Sequence, residues 1–272
     1  MRVAIGQTEG SPDKSANLAV VAEMVRLAAE DGVDLIGFSE YAMFKQPVRD
    51  ERFFDEAEDL DGPFASSIRS LAQEHDVAIV IGIQERIPDE RRAYNTLLIV
   101  DRRGVDVGVY RKIHLYDAFG GTESTWVRAG EIDQQLVFDI DGLRFGTMTC
   151  YDLRFPEMAR VLADAGAEVI LIPSAWTPGP RKEDHWSTMV RSRAIENVAY
   201  VVAPGMAPPL ATGGSLIVDP MGIVLAEAGE MPGLVAAECN AERVAEVRRR
   251  NPTLEHRRFT TVRADAADVE HR

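Results

Sequence analysis

The stretch Leu143-Arg144-Phe145-Gly146-Thr147-Met148-Thr149, followed by Cys150-Tyr151-Asp152-Leu153-Arg154-Phe155-Pro156-Glu157, decides the fold. Leu143–Thr149 reads as a strand, Pro156–Ala165 as a helix, and the next apolar run, Glu168–Ile172, as a strand again. Strand, turn, helix, strand is the unit of an α/β protein. Working outward, the same alternation fills the chain. Before this unit, Arg2–Gln7 reads as a strand and Asp13–Asp31 as a helix with Leu18, Val21, Ala22 and Val25 on one face. Val33–Phe38 is the next strand and Ala65–His75 the next helix. Val77–Ile83 is continuously apolar, as a strand buried on both faces would be. After the unit come a helix at Glu183–Asn197, strands at Val198–Val202 and Leu234–Glu238, and a short helix at Ala241–Arg250.

Three hairpins interrupt the alternation. Thr96–Val100 and Val105–Tyr110 flank Asp101-Arg102-Arg103-Gly104, and Gln134–Ile140 and Leu143–Thr149 flank Asp141-Gly142. Gly214–Val218 and Ile223–Glu227 flank Asp219-Pro220-Met221-Gly222. Hairpins argue against a purely parallel doubly wound sheet or a barrel. Two mixed sheets packed together, with helices outside, accommodate every element. No interior stretch reads as a linker and no repeat of fixed period appears. The expectation is one domain over residues 1–263 and a polar tail over 264–272.

A chain of 272 residues can bury a full core without metals or disulfides. With 46% hydrophobic and 27% charged residues it is neither disordered nor fibrous. The net charge of -14 repels phosphate backbones and anionic headgroups, which excludes nucleic acid and membrane surfaces as expected partners. No apolar stretch approaches the ~18–20 residues of a membrane span. Cys150 and Cys239 are the only cysteines; they make no disulfide framework and have no metal-ligand spacing. Free thiols point to a reducing cytoplasm.

Phosphate-loop, Gly-x-Ser-x-Gly, His-Glu-x-x-His and Cys-x-x-Cys signatures are all missing. Cys150 stands out at a strand-to-helix turn, where a helix N-terminus favours a thiolate and its N–H groups can hold an oxyanion. The plain alternative is a buried, inert cysteine. Glu40 follows the strand Val33–Phe38, at the kind of strand end where α/β ligand sites form and burial makes a carboxylate a usable base; a capping carboxylate is the plain alternative. Lys112 follows Val105–Tyr110, where a lysine can also merely solvate a strand end. Together the three form a stronger pattern: a nucleophile, its proton acceptor and a cation for the tetrahedral intermediate. His114, two residues beyond Lys112, is the rival base. Asp152 and Glu157 read as helix-start carboxylates. The arginine runs Arg248-Arg249-Arg250 and Arg257-Arg258 read as solvated or paired with acids across a dimer.

Phe38-Ser39-Glu40, Tyr110-Arg111-Lys112-Ile113-His114-Leu115 and Cys150-Tyr151-Asp152-Leu153-Arg154-Phe155-Pro156-Glu157 resemble, in order, the three catalytic blocks of the nitrilase superfamily of carbon–nitrogen hydrolases. A later block, Arg191-Ser192-Arg193-Ala194-Ile195-Glu196-Asn197, extends the resemblance over nearly the whole chain. One departure is Ser39, where the family usually has Pro. The resemblance implies a four-layer αββα sandwich, a Glu40–Lys112–Cys150 triad with Glu123 as an additional active-site carboxylate, and pairing into a homodimer through outer helices. It implies hydrolysis of a small-molecule amide through a cysteine thioester, with no metal and no organic cofactor. The sequence after the nucleophile resembles the Nit-like branch acting on small carboxylate-bearing amides, the omega-amidases and deaminated-glutathione amidases. Tyr151, Arg154 and Trp176 are the candidate substrate-binding residues, Arg154 as a carboxylate clamp. Its plain alternative is an ion pair with Asp152, Glu157 or another nearby acid. Nitrilase, carbamoylase, silent scaffold and thiol redox sensor are the rival readings.

Overall fold

Successive side chains leave opposite faces of a strand, and β1 (Arg2–Gln7) shows the consequence: Val3 and Ile5 enter one core and Ala4 another. The computed structural model describes residues 1–134 and 137–262, so the tail expected at 264–272 and the domain boundary at 263 lie outside the described residues. After β1 come α1 (Lys14–Glu30), β2 (Leu35–Phe38), the single turn α2 (Arg52–Asp55), α3 (Pro63–His75), β3 (Ala78–Arg86), β4 (Ala93–Val100) and β5 (Asp106–Arg111). The second half holds β6 (Val137–Ile140), β7 (Leu143–Thr147), α4 (Pro156–Asp164), β8 (Val169–Leu171), α5 (Lys182–Asn197) and β9 (Tyr200–Ala203). The chain continues through β10 (Leu216–Val218), β11 (Val224–Glu227), β12 (Gly233–Glu238) and α6 (Ala241–Arg250).

Two six-stranded sheets result, ordered β12-β1-β2-β3-β4-β5 and β11-β10-β9-β8-β7-β6. In each, three parallel strands are extended by antiparallel neighbours. Val3, Ile5, Val80, Leu97 and Ile99 of the first sheet share a core with Phe138, Phe145 and Val169 of the second. On its other face the first sheet packs Ala4, Ile36, Ile79 and Leu98 under Val21 and Val25 of α1 and Ile68 and Ala72 of α3. Met158 and Leu162 of α4, with Val190 and Ala194 of α5, cover the second sheet. The architecture is a four-layer αββα sandwich. Asp13 begins α1 as expected, its side chain accepting from the Ala16 N–H at 3.0 Å.

The three hairpins form where the turn residues lie. The antiparallel pairing of β12 with β1 brings a late strand beside the first, Arg2 opposite Glu238. Some of the basic runs act within the chain. Arg248 donates to the Ala167 and Val198 carbonyls at 2.7 and 3.1 Å, and Arg257 pairs with Asp164.

Strand direction places the chemistry. Glu40 follows the C-terminal end of β2, Cys150 that of β7, and Lys112 that of β5, whose two antiparallel pairings return it to the direction of β3. The loop after β2 lies against β3 at Gly82. A Cβ there would sit 2.6 Å from the Tyr41 nitrogen and 2.7 Å from the Glu40 Cα. Both are backbone atoms with no room to yield, so the absent side chain at Gly82 sets the height of Glu40 over the sheet.

Candidate active site

Lys112 lies at the centre. Its ammonium is buried and donates to Glu40 Oε1 and Glu123 Oε2, both at 2.8 Å. A buried lysine needs such partners, because losing water otherwise disfavours the charged form. Here the two carboxylates outweigh the burial that would lower its pKa, and hold it well above the ordinary lysine value. Burial would likewise raise the Glu123 pKa, but the charges of Lys112 and then Arg49 pull it down to about 2.

Backbone and side-chain donors fix both carboxylates. Glu40 accepts from Asn95 Nδ2 at 2.7 Å and, through Oε2, from the Ala175 N–H at 2.9 Å. Glu123 stands at the start of a 3-10 turn, Glu123–Thr125. It accepts from the Tyr116 N–H at 2.7 Å and the Tyr41 hydroxyl at 2.6 Å. Asn95 Nδ2 also approaches Glu123 Oε1 at 3.3 Å and so bridges the two acids. Asn95 and Tyr41 carry no motif that sequence reading could single out; an Asn in an apolar strand was the one available signal.

Cys150 occupies a left-handed backbone conformation (φ 47°) at the head of a 3-10 turn, Cys150–Arg154. That conformation costs a non-glycine residue about 1–2 kcal/mol, so the surroundings must impose it. They do so through Asp152, which is fully buried. Its carboxylate accepts from the Thr149 N–H (2.8 Å), the Tyr110 hydroxyl (2.6 Å) and the His114 N–H (3.0 Å), and lies 2.7 Å from His114 Nδ1. Asp152 thus ties the Cys150 turn to the segment carrying Lys112, a larger part than the helix-start carboxylate expected. From the other side Arg193 donates twice to the Leu153 carbonyl, at 3.1 and 2.6 Å. His114, the rival base, is committed to Asp152 and stacks on Phe155 with ring centroids 3.7 Å apart.

The sequence matches the carbon-nitrogen hydrolase family over residues 2–249. The chain belongs to the carbon-nitrogen hydrolase family. It is 38% identical to a deaminated glutathione amidase of Escherichia coli O157:H7, covering 95% of this chain and 98% of the relative. It is 39% identical to a 2-oxoglutaramate amidase of Bacillus subtilis over 74% of this chain and 77% of that one. Nit3 of Saccharomyces cerevisiae, a nitrilase-superfamily member, superposes with a TM-score of 0.84 at 32% identity, covering 95% of this chain and 97% of that chain. Amide C–N bond hydrolysis is the chemistry of this carbon-nitrogen hydrolase.

The hydrolase carries a cavity of about 310 Å³ lined by Glu40, Lys112, Glu123 and Cys150, together with Tyr151 and Trp176. Trp176 is fixed by its indole N–H, which donates to the Lys182 carbonyl at 2.8 Å. Arg154 stands behind this wall. Its guanidinium carbon lies 4.9 Å from the Trp176 ring centre and 5.4 Å from that of Phe119, and one nitrogen is 3.5 Å from His185 Nδ1. It makes no ion pair with Asp152 or Glu157, and its Nε has no hydrogen-bond partner among the described residues. Cys239 is buried at the end of β12, bonded through its N–H to the Met1 carbonyl and outside the cavity lining. Among the described residues no group of three His, Cys, Asp or Glu side chains is placed to hold a metal ion.

The resting thiol departs from the helix-terminus expectation. Cys150 heads a short 3-10 turn rather than α4, and burial first, the Glu40 carboxylate second, push its pKa well above the ordinary thiol value, against the pull of Lys112. A raised pKa means protonated thiol at neutral pH and thiolate only in the alkaline range. The ultraviolet difference spectrum between wild type and Cys150→Ala should therefore show no thiolate band at neutral pH and a rising band only in alkali. A full thiolate band in neutral buffer would contradict this.

Proposed function

We propose that this hydrolase cleaves a small carboxylate-bearing amide through a thioester on Cys150. Glu40 takes the thiol proton as the sulfur attacks the amide carbon, so a thiolate need exist only in the presence of substrate. The Lys112 ammonium and the Tyr151 N–H stabilise the oxyanion. Glu40 then gives its proton to the departing nitrogen, the C–N bond breaks, and ammonia or an amine leaves. Water, deprotonated by Glu40, attacks the thioester; the acid departs and the sulfur recovers its proton. Glu123 keeps Lys112 in place and charged. The observation that carries this reading is the buried ammonium shared at 2.8 Å by Glu40 and Glu123 in the cavity that holds Cys150.

Arg154 supports the carboxylate part of the reading. It is a guanidinium with no acidic partner among the described residues, stacked on the pocket residue Trp176, and arginine binds carboxylates through paired N–H groups. The relatives named for deaminated glutathione and for 2-oxoglutaramate agree with such a substrate. The test is steady-state kinetics on the ω-amide of a 2-oxo dicarboxylate and on its methyl ester. Cys150→Ala should fall to background while Cys239→Ala stays near wild type. Glu40→Gln should lose ~10²–10⁴-fold in kcat, and Lys112→Met ~10²–10³-fold. Wild type should prefer the free acid, and Arg154→Lys should lose that preference. Equal kcat/KM for acid and ester in wild type would remove the carboxylate and leave the amidase.

We further propose a homodimer paired through the helices covering the second sheet. Arg160 of α4 supports it, with a buried NH1 that has no hydrogen-bond partner among the described residues. Sedimentation should give about twice 30.0 kDa; a fully active monomer at the same concentration would refute a role for pairing.

A further inference from the structure

Two carboxylates share one ammonium in this site, and the proposed reaction asks opposite things of them. Glu40 must take a proton and give it up, whereas Glu123 must stay ionised so that Lys112 stays charged and in place. Both are buried and both lie 2.8 Å from Lys112, so neither burial nor the shared cation tells them apart. Their other neighbours do. An ionised carboxylate offers about four lone-pair positions. At Glu123 each oxygen has two donors: the Tyr41 hydroxyl (2.6 Å) and Asn95 Nδ2 (3.3 Å) on Oε1, Lys112 and the Tyr116 N–H (2.7 Å) on Oε2. Glu40 has Lys112 and Asn95 on Oε1 but, among the described residues, only the Ala175 N–H on Oε2. A position for a proton is open on Glu40 and filled on Glu123.

The second difference is a cation. Arg49, on the segment between β2 and α2, donates to the Tyr41 hydroxyl at 3.0 Å and lies 3.8 Å from Glu123 Oε1. Its guanidinium carbon sits 5.2 Å from the ring centres of both Tyr41 and Phe53, and those rings meet edge to face at 6.1 Å. Aromatic packing thus holds the guanidinium against the hydroxyl. Because the Tyr41 oxygen accepts from Arg49, its own proton is directed to Glu123, and a hydroxyl polarised by a cation donates more strongly. The other titratable groups facing Glu123 are Glu40, Lys45 and Cys150. Glu40 is the acid to be distinguished, Cys150 rests as a neutral thiol, and Lys45 makes no hydrogen bond to Glu123 among the described residues.

We infer that Arg49, acting through Tyr41, is the positioning residue that decides which of the two carboxylates takes the proton. It keeps Glu123 ionised, so the proton leaving Cys150 settles on Glu40. The inference rests on the proposed amidase reading and adds to it a residue that acts at one remove from the reacting atoms. The sign of the effect follows. Burial would raise the Glu123 pKa, and Lys112 and then Arg49 hold it at about 2. Without Arg49 it rises, and the ionised form is lost at a higher pH as acid is added.

The experiment follows the side-chain carboxyls by carbon-13 NMR in glutamate-labelled protein, the Glu123 signal being assigned by its loss in Glu123→Gln. In wild type that signal should stay ionised to the lowest pH at which the protein remains folded. In Arg49→Met its titration should move up by about 1–3 pH units, the range an adjacent opposite charge commands. Tyr41→Phe, which keeps the ring packing, should move it in the same direction, and Arg49→Lys should return most of the way. With the ω-amide of a 2-oxo dicarboxylate, Arg49→Met should lose about tenfold or more in kcat, the equivalent of one pH unit. Its acid limb should rise and its KM stay near wild type. A Glu123 titration unmoved in both Arg49→Met and Tyr41→Phe would overturn the inference. So would a raised KM with kcat and acid limb unchanged, the signature of an arginine that only binds substrate. Either result, with wild type still hydrolysing the amide, leaves the proposed function intact. Wild type unable to hydrolyse it would overturn that function, and this inference with it.

Discussion

A lysine ammonium stripped of water must be paired, and the active end of this molecule is arranged around that constraint. Lys112 reaches Glu40 and Glu123 at the same distance, 2.8 Å, and each acid is then fixed from behind by backbone N–H groups or by Asn95 and Tyr41. Removing either acid would leave a cation facing a single counter-charge in a buried site, where unpaired charge is expensive. The pairing also preorganises the chemistry. In the proposed reaction the cation is fixed before the oxyanion develops, so it costs no reorganisation when the bond forms.

The sheets contribute direction and height. Parallel strands end on one edge, and loops leaving that edge converge. Gly82 lets the Glu40 loop descend onto the sheet, while Asp152 couples the Cys150 turn to the Tyr110–His114 segment. The left-handed backbone at Cys150 is held by these bonds and by Arg193 at the Leu153 carbonyl. Strain at Cys150 is thus offset by hydrogen bonds a few residues away.

Much of this was legible in the amino-acid order, for physical reasons. Strand ends, hairpin turns and the helix start at Asp13 depend on local chemistry, and Glu40, Lys112 and Cys150 stand just beyond apolar runs that had to be strands. Pairing between distant segments was not legible. The β12–β1 pairing brings a late strand beside the first, so the first sheet repeats the plan of the second only after the chain has closed on itself; no fixed period could show it. Burial was the other hidden quantity. Asp152 looked like a helix-start carboxylate because its position is correct for one, whereas its full burial makes it a four-contact acceptor. Position alone likewise predicted a thiolate at Cys150, where desolvation and Glu40 favour the thiol. Asn95 and Tyr41 sit in no motif, and only their hydrogen bonds to Glu40 and Glu123 reveal them.

The acidic surface and the cationic cavity are compatible because they act at different ranges. Net charge governs the far field, which solution salt screens over about 8–10 Å, while the cations lining the cavity, Lys45, Arg49, Lys112 and Lys182, govern what is held once inside. The central claim is that this wall delivers an amide to Cys150 and that the acyl group passes through its sulfur. Rapid mixing with the ω-amide of a 2-oxo dicarboxylate, an acid quench within the first turnovers and peptide mass spectrometry test it directly. The account predicts the acyl mass on the peptide containing Cys150 and none on that containing Cys239. Product accumulating with no acyl group ever detected on Cys150 would contradict it.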